Sequence, residues 1–287
     1  MKKMMEVNEL YFAYKGNTED TIKNISFSVG KGKIFGFLGP SGAGKSTVQK
    51  ILIGILKDYR GNVKVFHQEI SKVNRDYYEK IGVSFELPNL YSKFTALENL
   101  NYFGSFYSNR VEDPIKLLKA VGLEVSAKIR VSHFSKGMKM RLNFCRALLN
   151  RPEIIFLDEP TSGLDPVNSK LVKDIIINLK QEGRTIFLTT HNMTIADELC
   201  DQVAFIVDGK INLIDSPRAL KVLKGEKSLI AEYRDNGKVL SQKFSLNGIG
   251  ANEDFIKILK EKEIETMHTQ EATLENIFIE VTGRSLT

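Results

Sequence analysis

Apolar residues recur along this chain with two different periods. Ile34-Phe35-Gly36-Phe37-Leu38 and Ile154-Ile155-Phe156-Leu157 are wholly apolar runs. Strands with no polar face belong in a sheet covered on both sides. Residues 6–13, 22–29, Asn62 to Phe66, Gly82 to Phe85 and Thr185 to Thr189 predict further strands. Between them the period lengthens. Thr47 to Leu56 sets Val48, Ile51, Leu52 and Ile55 on one helical face, and Leu171, Val172, Ile175, Ile176 and Leu179 share another. Asp113-Pro114 and Asp165-Pro166 each put a capping carboxylate before a proline at the first helical position; Gly122 and Gly183 stop the helices that follow. Strands alternating with helices predict an α/β fold around a mixed, mostly parallel sheet, with a helical subdomain over about 90–150.

The rhythm changes near residue 225. Val203 to Val207 and Lys210 to Ile214 flank Asp208-Gly209, a hairpin signal, and Ser216-Pro217 opens a short helix that Gly225 closes. Beyond it, Ser228 to Tyr233 and Lys238 to Phe244 flank Asp235-Asn236-Gly237, and helical patterns follow near 252–261 and 272–282. The expected organisation is a main domain over 1–225 and a small α+β extension over 226–287. Composition alters this little. The 42% hydrophobic and 26% charged content of the 287 residues supports a packed core rather than wholesale disorder. The net charge of +6 is scattered, which suits an anionic ligand or membrane surface without pointing to either. Two cysteines, Cys145 and Cys200, exclude a disulfide framework and fit a reducing cytosol. Glu6-Val7-Asn8-Glu9 stands where a signal peptide would need its apolar core, and no apolar run reaches the roughly 18 residues of a membrane span. The chain is expected to be soluble by itself, with any membrane role supplied through a partner.

The most specific chemistry is Gly39-Pro40-Ser41-Gly42-Ala43-Gly44-Lys45-Ser46-Thr47, which matches G-x-x-x-x-G-K-[ST] between a predicted strand and helix. Gly39, Gly42 and Gly44 permit sharp turns and a close approach of backbone to an anion. N–H groups then converge on phosphates at a helix N-terminus. Lys45 can reach the β- and γ-phosphates, and Ser46 can ligate Mg²⁺. Asp158-Glu159 ends the second apolar run. At the carboxyl end of a buried parallel strand, Asp158 can hold the Mg²⁺ hydration shell and Glu159 can polarise a water for attack on the γ-phosphate. The alternative is a solvated acidic turn before Pro160.

With these motifs in order, the chain resembles the nucleotide-binding subunit of an ATP-binding cassette (ABC) transporter over roughly residues 5–220. Ser132-His133-Phe134-Ser135-Lys136-Gly137-Met138 sits at the family signature and keeps only Ser135 and the second glycine, Gly137. The Ser-Lys-Gly-Met form resembles a variant common in drug and lipid exporters. Ser162-Gly163-Leu164-Asp165 resembles the D-loop, His191 the switch histidine, and Tyr14 the aromatic that stacks on adenine. The resemblance implies that Ser135 and the Gly137 N–H donate to a γ-phosphate, that Asp165 belongs to the nucleotide site, and that His191 distinguishes ATP from ADP. Outside that frame the same residues are an N-cap, a turn glycine, a capping histidine and an edge-strand aromatic. Glu271-Ala272-Thr273-Leu274-Glu275-Asn276-Ile277-Phe278 and the residues after it resemble the ending of ABC-2-type exporter ATPases, with Leu274, Ile277, Phe278 and Val281 on one helix face.

The resemblance implies an ATP-hydrolysing motor on the cytoplasmic side of the cell membrane, with ATP and Mg²⁺ bound. It implies a separate transmembrane permease, export of a drug or other amphipathic compound, and no nucleic-acid partner. The single motif set implies a homodimer in which each Ser135 faces the other subunit's ATP. Two other classes compete: a soluble ABC ATPase, which usually has paired cassettes or coiled-coil insertions, and a nucleotide-gated regulatory module, which intact Glu159 and His191 disfavour. One position departs from the family. Where the Q-loop glutamine belongs, the chain has Glu86, a carboxylate that can still ligate Mg²⁺; without the cation it would repel Asp158 and Glu159, favouring protonation of one of the three. Glu86→Gln should therefore flatten the Mg²⁺ dependence of ATP hydrolysis, measured as steady-state turnover across a Mg²⁺ titration. An unchanged curve rules out the metal role.

Overall fold

The computed structural model describes residues 2–109, 111–224, 228–270 and 273–284. Gly225, Glu271 and Ala272 lie outside them. Packing divides the chain after Ser216 into two compact units. The helix Pro217–Lys224 therefore belongs to the second unit, earlier than the change of rhythm near 225.

The strands of the first unit are β1 (Lys3–Phe12), β2 (Ile22–Gly30), β3 (Ile34–Leu38), β4 (Arg60–Val65), β5 (Gln68–Glu69), β6 (Ile81–Ser84), β7 (Ile154–Asp158), β8 (Thr185–Thr190), β9 (Gln202–Val207) and β10 (Lys210–Asp215). Its helices are α1 (Lys45–Leu52), α2 (Arg75–Tyr78), α3 (Ala96–Gly104), α4 (Pro114–Ala120), α5 (Lys136–Leu148), α6 (Pro166–Gln181) and α7 (Met193–Leu199). A six-stranded sheet runs β10-β9-β3-β8-β7-β6. Its five inner and edge strands β9, β3, β8, β7 and β6 are parallel, and β10 returns antiparallel through Asp208 and Gly209, both at positive φ. A separate antiparallel sheet runs β2-β1-β4-β5.

The continuous apolar runs sit where two-sided burial requires them: every residue of β3, β7 and β8 is buried. The core fills the space between the two sheets and α1. Met5, Val7, Ile25 and Val63 come from the antiparallel sheet, Phe35, Phe37, Phe156 and Phe187 from the parallel one, and Val48, Ile51 and Leu52 from α1. Phe187 is the hub, with its ring centroid 5.6 Å from Phe37, 5.9 Å from Phe156 and 6.0 Å from Phe35. α1 is shorter than its periodicity predicts. Gly54 turns the chain at φ +78, so Ile55 leaves the helical face and is 58% exposed.

The helical part is held by local chemistry. Thr95 and Glu98 form a reciprocal capping box on α3, and the Asp113 carboxylate accepts from the N–H of Ile115 with Pro114 behind it. Such caps are worth about 1 kcal/mol each. α5 is fastened to β6. Asn143 donates to Ser84 Oγ (3.0 Å) and to the Phe85 carbonyl (2.8 Å), and Asn150 donates to the carbonyl of Ile81.

The second unit contains α8 (Pro217–Lys224), β11 (Ser228–Asp235), β12 (Lys238–Ser245), α9 (Glu253–Glu261), β13 (Glu263–Gln270) and α10 (Leu274–Thr282). Its sheet runs β12-β11-β13, wholly antiparallel, over a small core of Ala231, Tyr233, Phe244, Phe255 and Ile258. The Asn236-Gly237 turn is where the sequence places it, with both residues at positive φ. β13 is an addition. Glu263-Ile264-Glu265-Thr266-Met267-His268 carries too few apolar residues to read as a strand by itself, and it forms because β11 supplies the pairing, with Ala231 opposite Met267.

Two glycines of the first unit test this packing with opposite signs. A Cβ on Gly82 would lie 1.9 Å from the Ala147 carbonyl oxygen of α5, whereas one on Gly104 meets nothing closer than 3.6 Å inside α3. Gly82→Ala should cost at least about 2 kcal/mol through forced backbone displacement. Gly104→Ala should be neutral or stabilise by up to about 1 kcal/mol through helix propensity. Urea midpoints of the two variants check both signs.

Candidate functional site

The parallel strands deliver their carboxyl ends to one edge of the sheet, and the candidate residues collect there. β3 runs into the loop Gly39–Gly44 and then α1; β7 ends at Asp158, β8 at Thr190, and β6 runs out toward Glu86. A cavity of about 360 Å³ is lined by Tyr14, Thr21, Ser41, Gly42, Gly44, Lys45, Ser46, Thr47, Glu86, Asp158, Glu159 and His191. Residues far apart in sequence thus form one polar pocket.

The loop's glycines have separate reasons. Gly44 sits at φ +106 with the Ile22 side chain 2.6 Å from where a Cβ would be. Gly39 has no positive φ; a Cβ there would lie 2.1 Å from the Ile206 carbonyl of β9. Packing against the neighbouring strand therefore requires a glycine at 39, a reason the sequence did not show. The Lys45 ammonium donates to the carbonyls of Gly39 (2.6 Å) and Pro40 (3.0 Å), so the lysine is held along the loop. Ala43 closes the turn, its N–H donating to the Pro40 carbonyl at 3.2 Å.

Lys45, Asp158 and Glu159 are all buried. Burial pulls the Lys45 ammonium below its ordinary range, against the opposing pull of the Glu159, Asp158 and Glu86 carboxylates. Burial likewise pushes the Asp158 carboxyl up, opposed by hydrogen bonds from Thr189 and Ser46 and reinforced by repulsion from Glu159. The sequence led to the expectation that mutual repulsion would favour a protonated carboxyl here. For Asp158 desolvation leads and repulsion follows.

Asp158 faces Ser46, whose hydroxyl donates to its Oδ2 at 3.3 Å. Among the described residues no group of three or more His, Cys, Asp or Glu side chains is arranged to hold a metal. The donor set is one hydroxyl, one carboxylate and, in the same cavity, the exposed Glu86. That suits a hard cation which keeps water and takes its remaining oxygens from phosphates.

Glu159 stands at φ +46, an uncommon backbone for a non-glycine residue and one that clusters at functional sites. Its carboxylate is gripped on both oxygens. Oε1 accepts from the His191 backbone N–H (2.8 Å) and faces His191 Nδ1 at 2.6 Å; Oε2 accepts from Thr190 Oγ1 (2.8 Å). Against an ionised carboxylate, Nδ1 is the donor. Nε2, the other ring nitrogen of this cavity-lining histidine, then donates only when the ring is cationic.

Tyr14 lies at the mouth, with its hydroxyl 3.1 Å from Thr47 Oγ1 and its ring edge-on to Phe12. Ser135, Gly137 and Asp165 do not line this cavity. They gather elsewhere in the first unit. The Ser135 hydroxyl accepts from the N–H of Met138 at the start of α5, and Asp165 caps α6 by accepting from Val167 and Asn168. Hydrogen bonding, first from the Asn168 side chain, holds the fully exposed Asp165 carboxyl low. A Cβ on Gly137 would lie 3.3 Å from the Gly163 carbonyl, so the signature turn and the Ser162–Asp165 turn adjoin.

Sequence reasoning missed Thr21, Gln49, Thr189 and Thr190. Thr189 Oγ1 hydrogen-bonds Asp158 Oδ1 and faces Gln49 Oε1 at 3.3 Å, all three residues being buried. The two threonines read as an ordinary strand end. Only the β7–β8 register, which pairs Asp158 with Thr189, brings them to the acidic pair. A second cavity, an apolar groove of about 370 Å³, lies between α3, α5 and β6 and includes Ile55, Tyr78, Val83, Phe85, Phe103 and Phe106. Phe85 lines the groove and the next residue, Glu86, lines the polar pocket.

A buried lysine on a glycine loop, facing an acidic pair at the end of a parallel strand, defines a P-loop nucleoside triphosphatase. The family model "ABC transporter" matches residues 22–162, and "Fluoroquinolone efflux ABC transporter C-terminal domain" matches residues 229–271. The fluoroquinolones export ATP-binding protein of Mycobacterium tuberculosis strain H37Rv is 52% identical over 99% of this chain and 95% of its own length. The Nod factor export ATP-binding protein I of Bradyrhizobium diazoefficiens is 34% identical over 92% of each. The bacitracin transport ATP-binding protein of Bacillus licheniformis is 31% identical over 93% of this chain and 94% of its own. Among solved structures, a dimeric ATP-binding cassette in a post-hydrolysis state with ADP and phosphate superposes with a TM-score of 0.68 at 26% identity, covering 74% of this chain and 98% of that one. The chain belongs to the ABC transporter family, and it is an ATP-binding ATPase subunit of that family.

Proposed function

We propose that this chain is the ATP-driven motor of a drug exporter, working as a homodimer beneath a separate membrane permease, with fluoroquinolone-class compounds as the exported substrate. The 52% identity carried across both units to a fluoroquinolones export ATP-binding protein is the observation that carries this reading. The match of residues 229–271 to a fluoroquinolone efflux C-terminal domain supports it independently of the ATPase motifs. Among the described residues no helix is long and apolar enough to cross a membrane. In this reading translocation belongs to the permease, and this chain sits peripherally on its cytoplasmic side. The groove beside Phe85 is the surface we assign to that permease. Its rings and aliphatic side chains suit a short amphipathic segment, and the Phe85-Glu86 step ties it to the nucleotide pocket.

In this reading Tyr14 stacks on adenine, and the loop from Gly39 to Thr47 cradles the phosphates with Lys45 on the β- and γ-oxygens. Ser46, Asp158 and Glu86 hold Mg²⁺, which when bound offsets the charge developing on the phosphates. Glu159 orients the attacking water and takes its proton. His191 holds Glu159 through Nδ1 and faces the γ-phosphate with Nε2. Ser135 and the Gly137 N–H, with Asp165 nearby, serve the ATP of the second subunit. Their separation from the pocket supports a shared site, as does the dimeric form of the cassette that superposes on this chain.

Co-expression with its permease in a drug-sensitive host should raise the minimum inhibitory concentration of a fluoroquinolone several-fold, and Glu159→Gln should abolish the gain. Protection against unrelated amphipathic drugs alone would correct the substrate; no protection at all, with the permease present in the membrane, would sink the exporter reading. With ATP, Glu159→Gln should sediment as a dimer, and a strictly monomeric species counts against the shared site.

A further inference from the structure

We propose that Thr190 is a positioning residue for ATP hydrolysis, one that fixes the Glu159 carboxylate in the orientation needed to take a proton from water. The inference rests on the reading of Glu159 as the base and adds the group that aims it. Three observations converge. Parallel pairing of Asp158 with Thr189 sets Glu159, just past the end of β7, beside Thr190, the last residue of β8, and the Glu159 N–H donates to the Thr189 carbonyl at 2.9 Å. The Thr190 hydroxyl has a single proton, and the Asn192 backbone N–H occupies one of its lone pairs at 3.0 Å, so the hydroxyl rotor is set and its proton goes to Glu159 Oε2 at 2.8 Å. Both residues are buried, Thr190 at 1% exposure and Glu159 at 8%, so little bulk water competes for that bond.

The geometry shows why a second grip matters. His191 engages only Oε1. Held there alone, the carboxylate can still swing about that oxygen; held at Oε2 as well, its plane is fixed. The Glu159 backbone, at φ +46, then needs its side chain to be aimed by partners rather than by a preferred strand conformation.

The test uses the full-length protein and steady-state ATP hydrolysis with MgATP. Thr190→Val keeps the shape and removes the hydroxyl. It should lower kcat about tenfold to a hundredfold, the effect of one hydrogen bond to a charged group, with KM for ATP changed by less than about twofold. Thr190→Ser should restore kcat to within about threefold. In a Glu159→Gln background Thr190→Val should add nothing, since its effect passes through that carboxylate. Melting temperatures identify a folding failure; if the valine protein does not fold, Thr190→Ala is held to the same expectations. Unchanged turnover in Thr190→Val overturns the proposal, and so does a serine variant no better than valine. Retention of turnover by Glu159→Gln would instead remove the base reading itself, whereas a dead Glu159→Gln beside a fully active Thr190→Val removes only the role of Thr190.

Discussion

Two carboxylates and an ammonium are withdrawn from water at one edge of a sheet, and most of the first unit is arranged around keeping them there. Burial works against the charged form of both, pulling the Lys45 ammonium down and pushing the Asp158 carboxyl up. Hydrogen bonds to such groups offset part of the cost of taking them out of water. The partners come from different strands: loop carbonyls for Lys45, Ser46 and Thr189 for Asp158, and Thr190 and His191 for Glu159. A one-residue slip between β7 and β8 would exchange those partners and point the side chains to the wrong faces. The all-apolar bodies of β3, β7 and β8, packed through Phe35, Phe37, Phe156 and Phe187, hold the register.

The same economy governs the helical part. α5 starts at the Ser135 turn, and along its length Asn143 reaches the backbone at Phe85 while Arg146 donates to the Asn89 carbonyl and lies over the Phe103 ring. The residues on both sides of Glu86 are thus bonded to the helix that carries the signature. The apolar groove and the nucleotide pocket therefore meet at covalent neighbours, Phe85 lining the one and Glu86 the other. The second unit stands on a different basis: a three-stranded antiparallel sheet over five buried side chains, with capped helices at Asn252 and Thr273.

Much of this was legible in the chain. The glycine loop, the acidic pair after an apolar run, the proline-started helices and the two positive-φ hairpin turns are local signals, each set by a few adjacent residues, and each appears where the sequence puts it. Ile55 and β13 were not legible, for opposite reasons. Gly54 ends a helix whose apolar period continues past it, and β13 has almost no apolar period yet pairs with β11.

The sequence by itself determined the fold class and the chemical identity of the site, because phosphate cradling and metal binding need fixed residue types at fixed spacings. Tertiary structure alone decided which groups serve them. That Gly39 is required by the Ile206 carbonyl, that Thr189 and Thr190 partner Asp158 and Glu159, and that Phe85 and Glu86 face different cavities all depend on strand register and on side chains dozens of residues apart. Threonine beside a carboxylate has no signature along one strand; it acquires one only when a second strand is laid beside it and water is removed.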